Sequence, residues 1–262
     1  MDTLFIIKIG GNIIDDEKAL HTFLLDFASM DAKKILVHGG GKIASKIGER
    51  MGVKANYIDG RRITDLETID LVTMVYGGLL NKQIVAGLQS MHCNAIGLTG
   101  ADADLIPAEK RPAGNIDYGF VGDIRSSRIV PSKWQLLLEH ELVPVVAPLT
   151  HDGKGQMLNT NADTIASALA VALSYNYQVR LIYCFDKMGV LENVDDDSSV
   201  IHMMNKERYA QLLSDKKLAD GILPKIDNAF AAIDNGVKEV VIGNAEDLLH
   251  NCSHIVKGTL FK

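Results

Sequence analysis

The stretch Leu4-Phe-Ile-Ile-Lys-Ile-Gly-Gly-Asn12 decides the fold, and Ile35-Leu-Val-His-Gly-Gly-Gly41 repeats its plan. In each stretch an apolar run typical of a buried β-strand ends in a glycine-rich turn, and a helical pattern follows. Such a turn can bind an anion, because no Cβ blocks the backbone N–H groups and the helix dipole favours negative charge. Two such turns at consecutive strand ends, with Lys8 beside the first, predict a site that binds two anionic groups, as phosphoryl transfer requires.

The composition limits the class of protein. The chain has 262 residues, of which 47% are hydrophobic and 23% are charged, as in ordinary globular domains. Its net charge of −6 argues against nucleic-acid binding. The three cysteines are odd in number and far apart, which favours reduced structural thiols over a zinc site. Because the chain carries no signal-peptide pattern and no apolar run of about 18 residues, we expect a cytoplasmic protein without a membrane span.

Short apolar runs that predict strands alternate with helical patterns along the chain. The runs lie at residues 4–9, 34–38, 95–99, 143–148, 178–185 and 239–243. Helical patterns follow at residues 16–30 and 42–51, after Thr64, after Ser132, at 162–174 and from Pro224 to near Gly236, with Thr64, Ser132 and Asn161 as predicted N-caps. Continuous Ile, Val and Leu content is typical of strands covered on both faces. We therefore predict an α/β fold, a three-layer sandwich with a mostly parallel open sheet.

Two stretches depart from this alternation. Residues 56–64 carry the turn Asp59-Gly60 between β-compatible flanks and predict a small hairpin. Residues 101–128 are rich in glycine, proline and polar side chains, and predict hairpins and loops at the carboxyl edge of the sheet.

Two lysines occupy positions that are unfavourable without an anion nearby. Lys8 lies inside an apolar strand, where its ammonium group must reach water or an anion. Lys225 lies in the first turn of a predicted helix, where a cation opposes the helix dipole. Both are candidates for phosphate contact; a lysine that reaches solvent at the strand end, and a solvated surface lysine, are the alternatives.

Polar side chains also cluster at predicted strand ends and helix starts. N-capping explains one of Asn159 and Asn161, together with Asp163, but not both asparagines. Asp186 ends an apolar strand, where open α/β sheets bind ligands, although a turn-forming aspartate is an equal alternative. Arg61-Arg62 forms a basic turn that could bind a carboxylate or lie in solvent.

The second glycine turn has an alternative interpretation as a dinucleotide-binding site. Residues 39–44 fit the pattern G-x-G-x-x-A, and Asp59 lies roughly where a ribose-binding acid would be expected. The pattern is short and frequently matched by chance. The longer P-loop pattern of nucleotide triphosphatases is absent from the sequence.

In their order and spacing these motifs resemble those of the amino-acid kinase family along nearly the whole chain. The matching stretches are Lys8-Ile-Gly-Gly-Asn12, Val37-His-Gly-Gly-Gly41, Gly60-Arg-Arg-Ile-Thr64, Gly119-Phe-Val-Gly-Asp123, Gln156-Met-Leu-Asn-Thr-Asn-Ala-Asp163 and Gly221-Ile-Leu-Pro-Lys225. The resemblance implies the carbamate kinase-like form of the fold in one domain over residues 1–262. It implies an N-terminal lobe to about residue 175, for acylglutamate binding and dimerisation, and a C-terminal lobe from about 176 for ATP.

The resemblance also implies a role for each matching residue. Lys8 and Lys225 would stabilise the transferring phosphoryl group, and Asp163 would orient the two lysines. Substrate-binding roles follow for Gly40, Gly41, Arg62, Asn159 and Asn161, with Arg62 and Asn159 at the α-carboxylate and the acylamino end. Nucleotide-binding roles follow for Gly10, Gly11, Asp186, Lys187, Met188, Gly189, Val190, Leu191, Lys217, Leu218 and Ala219.

The activity implied is ATP-dependent phosphorylation of the side-chain carboxylate of an N-acylglutamate, acetyl or succinyl, in arginine biosynthesis. The product would be an acyl phosphate. Mg²⁺ would be held mainly by the nucleotide phosphates, without a metal site on the protein. The chemistry agrees, because a glutamate side chain with a reference pKa of about 4.3 is already ionised at neutral pH and needs no general base. Positioned cations and N–H groups would offset the repulsion between two anions.

The sequence departs from the family pattern at two places. Arg61 stands where the family has an apolar residue, and residues 185–188 depart from the form Thr/Ser-Asp-Val-x. We expect a homodimer formed by the helix at 65–80 through Ile69, Val72, Met74 and Leu79. Because strand 1 begins by about residue 4, we expect no additional N-terminal helix and therefore no inhibition by free arginine through that helix.

Overall fold

A computed structural model describes residues 1–58, 60–193, 195–215, 217–218 and 222–262. Its strands are β1 (Thr3–Ile9), β2 (Lys33–His38), β3 (Tyr57–Ile58), β4 (Arg61–Arg62), β5 (Ala95–Leu98), β6 (Ala108–Lys110), β7 (Gly122–Ile124), β8 (Val143–Val146), β9 (Leu149–His151), β10 (Met157–Asn159), β11 (Gln178–Phe185), β12 (Met203–Met204), β13 (Glu239–Asn244) and β14 (Thr259–Phe261). Its α-helices are α1 (Gly11–Asp15), α2 (Glu17–Ser29), α3 (Gly41–Met51), α4 (Leu66–Val72), α5 (Asn81–Ser90), α6 (Pro131–Glu139), α7 (Ala162–Leu173), α8 (Lys206–Ser214), α9 (Leu223–Asp234) and α10 (Leu248–Cys252).

One eight-stranded sheet forms the middle layer, in the order β12-β14-β13-β11-β1-β2-β8-β5. Its neighbouring strands are parallel except for the pair β13 and β14. Every strand predicted from an apolar run belongs to this sheet, so the α/β fold with a mostly parallel sheet is confirmed. Because β1 pairs with β11 along its whole length, the two predicted lobes share one sheet. Their assignment to different ligands stays a prediction.

Alternation along β1 divides its side chains between two hydrophobic cores. Leu4 and Ile6 pack in the core that also contains α7 and α9, whereas Ile7 and Ile9 pack in the core beneath α2 and α5. Since successive side chains of a strand point to opposite faces, Lys8 lies on the α7 face. The strand that carries the first glycine turn therefore delivers its lysine to the helix that carries Asp163.

A long helix crosses the second core. It runs from Leu66 to Ser90 as α4, a π-helical stretch at Thr73–Leu80 and then α5. By length and composition this helix is apolar enough to cross a membrane, although charged residues such as Glu67, Asp70 and Lys82 interrupt its apolar sequence. A core helix meets the same criterion, and residues such as Ile69 and Val72 are indeed buried within the chain. The predicted dimer face must therefore exclude Ile69 and Val72, while Met74 and Leu79 are exposed.

Two predicted helix caps are wrong by one or two residues. Asp65, not Thr64, caps α4, because its carboxylate accepts a hydrogen bond from the Thr68 N–H at 2.9 Å. Helix α6 begins at Pro131 with Val130 as N-cap, so Ser132 lies inside its first turn. The Asn161 cap of α7 is confirmed, since its side chain accepts hydrogen bonds from the N–H groups of residues 163 and 164.

The predicted hairpins are present, and several short elements were not predicted. β3 pairs with β4 in the stretch 56–64, and β6 pairs with β7 in the stretch 101–128. The hairpin of β9 and β10, the short helix α1, and the C-terminal elements β12, α8, α10 and β14 gave no clear pattern in the sequence. The hairpins β6–β7 and β9–β10 adjoin each other, because Val121, directly before β7, forms a β-bridge with Asn159 at the end of β10.

Candidate active site

Asp163 lies between the two lysines that the sequence singled out. The Lys8 Nζ atom is 2.8 Å from Oδ1 of Asp163, and the Lys225 Nζ atom is 3.9 Å from Oδ2. β1 supplies Lys8, the first turn of α7 supplies Asp163, and the first turn of α9 supplies Lys225. One carboxylate thus holds two ammonium groups near each other, which would otherwise repel.

The charges of this cluster are set by burial and by the two lysines. Burial works to raise the pKa of Asp163, but the positive charges of Lys8 and Lys225 outweigh it and hold the pKa below its usual value. The carboxylate therefore stays ionised at neutral pH. The Lys225 ammonium group also lies 5.4 Å from the centre of the Phe185 ring, within cation–π distance. Phe185 belongs to the segment that departs from the family pattern.

The two glycine turns lie side by side next to Lys8. A Cβ placed on Gly39 would lie 4.0 Å from the backbone nitrogen of Gly11, and one on Gly10 would lie 3.9 Å from the Lys8 Nζ atom. Gly40 has a φ of +145°, and a Cβ there would overlap the side chain of Leu80. Glycine is thus required at position 40 by its backbone conformation and by the approach of the long helix.

Arg62 is buried at the floor of the site, with 7% of its surface exposed. Its Nη2 atom donates to the carbonyl of Gly41 and to Ser45 Oγ, both at 2.8 Å, and to the Tyr57 hydroxyl. The guanidinium group also stacks 4.9 Å from the centre of the Tyr57 ring. These contacts fix the arginine against the second glycine turn.

The asparagines near α7 have different partners. Asn159 donates from Nδ2 to Thr64 Oγ1 at 3.0 Å, which ties β10 to the loop before α4. Asn161 accepts hydrogen bonds from the N–H groups of Asp163 and Thr164 at 2.8 and 3.1 Å. Capping therefore uses the Asn161 carbonyl oxygen, as the N-cap prediction expected, whereas the amide nitrogen of Asn159 is bonded to Thr64.

A cavity of about 260 Å³ joins these groups. Its lining includes Lys8, Gly11, Gly40, Gly41, Arg61, Arg62, Arg111, Tyr57, Tyr76, Asn159, Asn161 and Asp163. The structure thus brings together the predicted catalytic residue pair Lys8 and Asp163 and all of the predicted substrate-binding residues. The basic lining suits a small anionic ligand that can reach Lys8.

Apart from Gly10 and Gly11 in the first glycine turn, the predicted nucleotide-binding residues that the structure describes follow the C-terminal ends of β11 and α8. Lys187 forms a salt bridge with Asp197 at 3.1 Å, and Lys217 forms one with Glu192 at 2.8 Å. The second bridge brings the segment 217–218 to the loop after β11. Val190 is buried, its N–H donates to Thr259 Oγ1 at 2.8 Å and its carbonyl accepts from the Ile201 N–H at 2.8 Å, so both of its backbone polar groups have partners within the chain. A Cβ at Gly189 would lie 2.7 Å from the same Oγ1 atom.

The remaining predicted residues on this side have different surroundings. Asp186 is exposed and accepts a hydrogen bond from Asn12 Nδ2 at 3.1 Å, which links the first glycine turn to the end of β11. Met188 and Leu191 are partly buried, and Leu218 packs against the core beneath α7. Ala219 and Gly221 lie outside the described residues. Asp59, the acid that the dinucleotide alternative required, also lies outside them.

Several residues of the site had no usable signal in the sequence. Arg111 lines the cavity and is held by Asp123, with its Nε atom 3.1 Å from both carboxylate oxygens. Tyr57 and Tyr76 also line the cavity. Only the register of β6 against β7, which sequence reasoning did not establish, places Arg111 near Asp123.

Comparison with known protein families agrees with this geometry. The profile of the amino acid kinase family matches residues 3–244. The acetylglutamate kinase of Cytophaga hutchinsonii is 56% identical over 250 residues, which make up 95% of this chain and 94% of that protein. The family match favours the kinase reading of the glycine turns over the dinucleotide alternative.

Solved structures support the same fold. An N-acetylglutamate synthase from Neisseria gonorrhoeae, complexed with coenzyme A and N-acetyl-glutamate, matches with a TM-score of 0.82 at 19% identity. The match covers 99% of this chain and 59% of that longer chain. A carbamate kinase from Giardia lamblia bound to AMP-PNP matches with a TM-score of 0.73 at 13% identity, over 99% of this chain and 98% of that chain. Identities this low establish the fold alone.

Proposed function

Because the chain belongs to the amino acid kinase family, we propose that it transfers the γ-phosphoryl group of ATP to the side-chain carboxylate of an N-acylglutamate. The product is an acyl phosphate, and the reaction is a step of arginine biosynthesis. The observation that carries the proposal is the cluster of Lys8, Asp163 and Lys225 beside two adjoining glycine turns.

The residues of this cluster match the electrostatic demands of the reaction. The attacking carboxylate is already ionised, so the barrier comes from bringing two anions together. Lys8, next to the Gly10 turn, neutralises charge on the transferring group, and Lys225 does so from the start of α9. Asp163 orients both ammonium groups before substrate arrives, so little reorganisation is needed in the transition state.

The remainder of the cavity orients the amino-acid substrate. The Arg62 guanidinium is fixed by Gly41, Ser45 and Tyr57 through Nη2, which leaves its other N–H groups for the α-carboxylate. Asn159 offers an amide to the acylamino end. The backbone of Gly40 and Gly41 completes the site, and the side-chain carboxylate then points toward Lys8.

A divalent cation is expected to arrive with the nucleotide. Among the described residues, no group of three or more histidine, cysteine, aspartate or glutamate side chains is placed to hold a metal ion. Mg²⁺ binds phosphate oxygens readily and keeps several waters, so the phosphates of ATP can hold the ion without a dedicated cage of protein ligands. When bound, the ion supplies charge neutralisation at the β- and γ-phosphates.

The acyl group is the finer part of the proposal. Arg61 and Arg111 line the cavity in addition to Arg62, so the site offers more guanidinium groups than the α-carboxylate alone requires. N-acetylglutamate is the first candidate, and N-succinylglutamate, which carries one more carboxylate, is the second. We also propose a cytoplasmic homodimer, with Met74 and Leu79 among the exposed apolar residues available for the contact.

An ATP-dependent assay with hydroxylamine trapping of the acyl phosphate tests the function. We expect trapped product with N-acetylglutamate or N-succinylglutamate and none with free glutamate. The variant Arg61→Leu should reduce use of the succinyl substrate selectively if Arg61 meets its extra carboxylate. Absence of ATP-dependent product with every acylglutamate would contradict the proposed function.

A further inference from the structure

His38 is a fully buried histidine at the C-terminal end of β2, directly before the second glycine turn. Its Nδ1 atom lies 2.8 Å from the carbonyl oxygen of Gly39, and its Nε2 atom lies 3.2 Å from Nδ2 of Asn81. A carbonyl oxygen can only accept, so Nδ1 carries the proton and Nε2 accepts from the asparagine. The imidazole is therefore neutral, with both nitrogens paired.

Both polar atoms of the Asn81 side chain also have hydrogen-bond partners, and these partners fix the orientation of its amide group. Nδ2 also donates to the carbonyl of Val145 in β8 at 3.0 Å, while Oδ1 accepts from Lys82 Nζ at 3.1 Å. A Cβ at Gly97 would overlap this Oδ1 atom, so β5 leaves room for the amide by carrying a glycine there. The buried asparagine thus joins two strands of the sheet to His38.

The contact with Gly39 has a consequence for the substrate side of the site. In a planar trans peptide the carbonyl of Gly39 and the N–H of Gly40 point in opposite directions. Holding that carbonyl against the buried imidazole therefore turns the Gly40 N–H away from the core. Gly40 and Gly41 line the cavity, and Leu80, which precedes Asn81 in the chain, packs against Gly40.

We propose that His38 and Asn81 are a buried positioning pair, which holds the Gly39 carbonyl and so orients the amides of Gly40 and Gly41 for the acylglutamate substrate. The inference rests on the proposed function for the identity of that substrate. Neither side chain contacts the reacting atoms; both act through the backbone of the turn. Burial lowers the pKa of His38 to about 4, which agrees with a neutral imidazole that holds one tautomer.

The first test compares two variants of the same helix. Asn81→Ala leaves the Nε2 atom of His38 buried and unpaired, and we expect KM for N-acetylglutamate to rise roughly tenfold while KM for ATP changes by less than about twofold. Gln89→Ala is the matched control, because Gln89 in α5 donates to the carbonyl of Ala95 in β5 at 2.9 Å rather than to His38. The control should leave both KM values near those of the unmodified enzyme.

The second test is rescue at His38. In His38→Asn the amide Nδ2 can replace the imidazole Nδ1 and still donate to Gly39, whereas His38→Leu removes both hydrogen bonds. We expect KM for the acylglutamate to be closer to that of the unmodified enzyme in the asparagine variant. Equal impairment of the two variants would assign the effect to packing and overturn the proposal.

An NMR measurement separates this inference from the proposed function. The amide resonances of Gly40 and Gly41 in the ligand-free protein should shift in Asn81→Ala and stay in place in Gln89→Ala. Unchanged glycine amides in Asn81→Ala, or a parallel rise of KM for ATP, would refute the positioning role even if the kinase reaction is observed. If no acylglutamate is phosphorylated, the glycine amide shifts still decide the inference.

Discussion

The two sides of the candidate site are built differently. On the predicted acylglutamate side, Arg62, His38 and Thr64 are buried and hydrogen-bonded to their own chain. On the predicted nucleotide side, the side chains meet in exposed salt bridges such as Lys187–Asp197 and Lys217–Glu192. Exposed ion pairs contribute little to stability, whereas buried polar groups are costly to disturb. The predicted acylglutamate side is therefore preorganised, and the predicted nucleotide side is expected to take its final form around its ligand.

The largest effect should come from the lysines where the two sides meet. Lys8→Ala and Lys225→Ala each remove charge used mainly in the transition state, so we expect kcat to fall by about 10²–10³ with smaller changes in KM. Steady-state kinetics with both substrates measures the split. Lys133→Ala is a suitable control, because Lys133 lies in α6 and its ammonium group donates to the carbonyls of Ala103 and Asp104, outside the candidate site. Near-normal turnover in both variants would show that these lysines do not take part in the reaction and that the active site lies elsewhere.

The buried side should also make stability depend on pH. His38 has a pKa of about 4 in the folded protein and about 6.5 when unfolded, because burial disfavours its charged form. Between those values the unfolded chain binds more protons, so stability is full above about pH 6.5 and falls as the pH drops toward 4. The loss assigned to His38 is about 3 kcal/mol.

Urea denaturation at several pH values measures this loss. His38→Asn lacks the titrating group, so its free energy of unfolding should fall less over the same window. Identical pH dependence in the two proteins would mean that His38 is not buried in the neutral form, and the contrast between the two sides would lose its main support.

Substitution of the buried arginine should affect one ligand only. Arg62→Ala removes a fixed guanidinium group, and we expect KM for the acylglutamate to rise by about 10–100-fold with nearly unchanged ATP affinity. Calorimetric titration with each ligand separates the two affinities. Comparable weakening of ATP binding would break the division of the site into two sides.

The smallest effect should come from the exposed ion pairs. Lys217→Ala breaks the bridge to Glu192, and the free energy of unfolding should change by less than about 1 kcal/mol. If Lys217 contacts nucleotide, KM for ATP rises in this variant but not in Lys206→Ala, which breaks an exposed bridge to Asp234. A large loss of stability would mean that the nucleotide side is as rigidly built as the other.

The features that could be predicted from the sequence are those determined by residues close to one another along the chain. The runs in β1 and β2, their glycine turns and the Asn161 cap each depend on neighbouring residues, and the structure contains them. The Thr64 cap was wrong because Asp65 is an equally good capping residue one position later, and tertiary contacts of Thr64 decided between them. The roles of Asn81 and Arg111 depend on partners 43 and 12 positions away, respectively, so periodicity and capping rules could not reveal them.

The alternation of side chains along β1 has a genetic consequence. Exchange of the codons for Ile7 and Lys8 would keep the composition of the strand and both glycines of the first turn. The lysine would then occupy the position of Ile7, on the face opposite α7, and Asp163 would lose its nearer cation. Such an exchange should therefore abolish activity although the composition of the chain is unchanged.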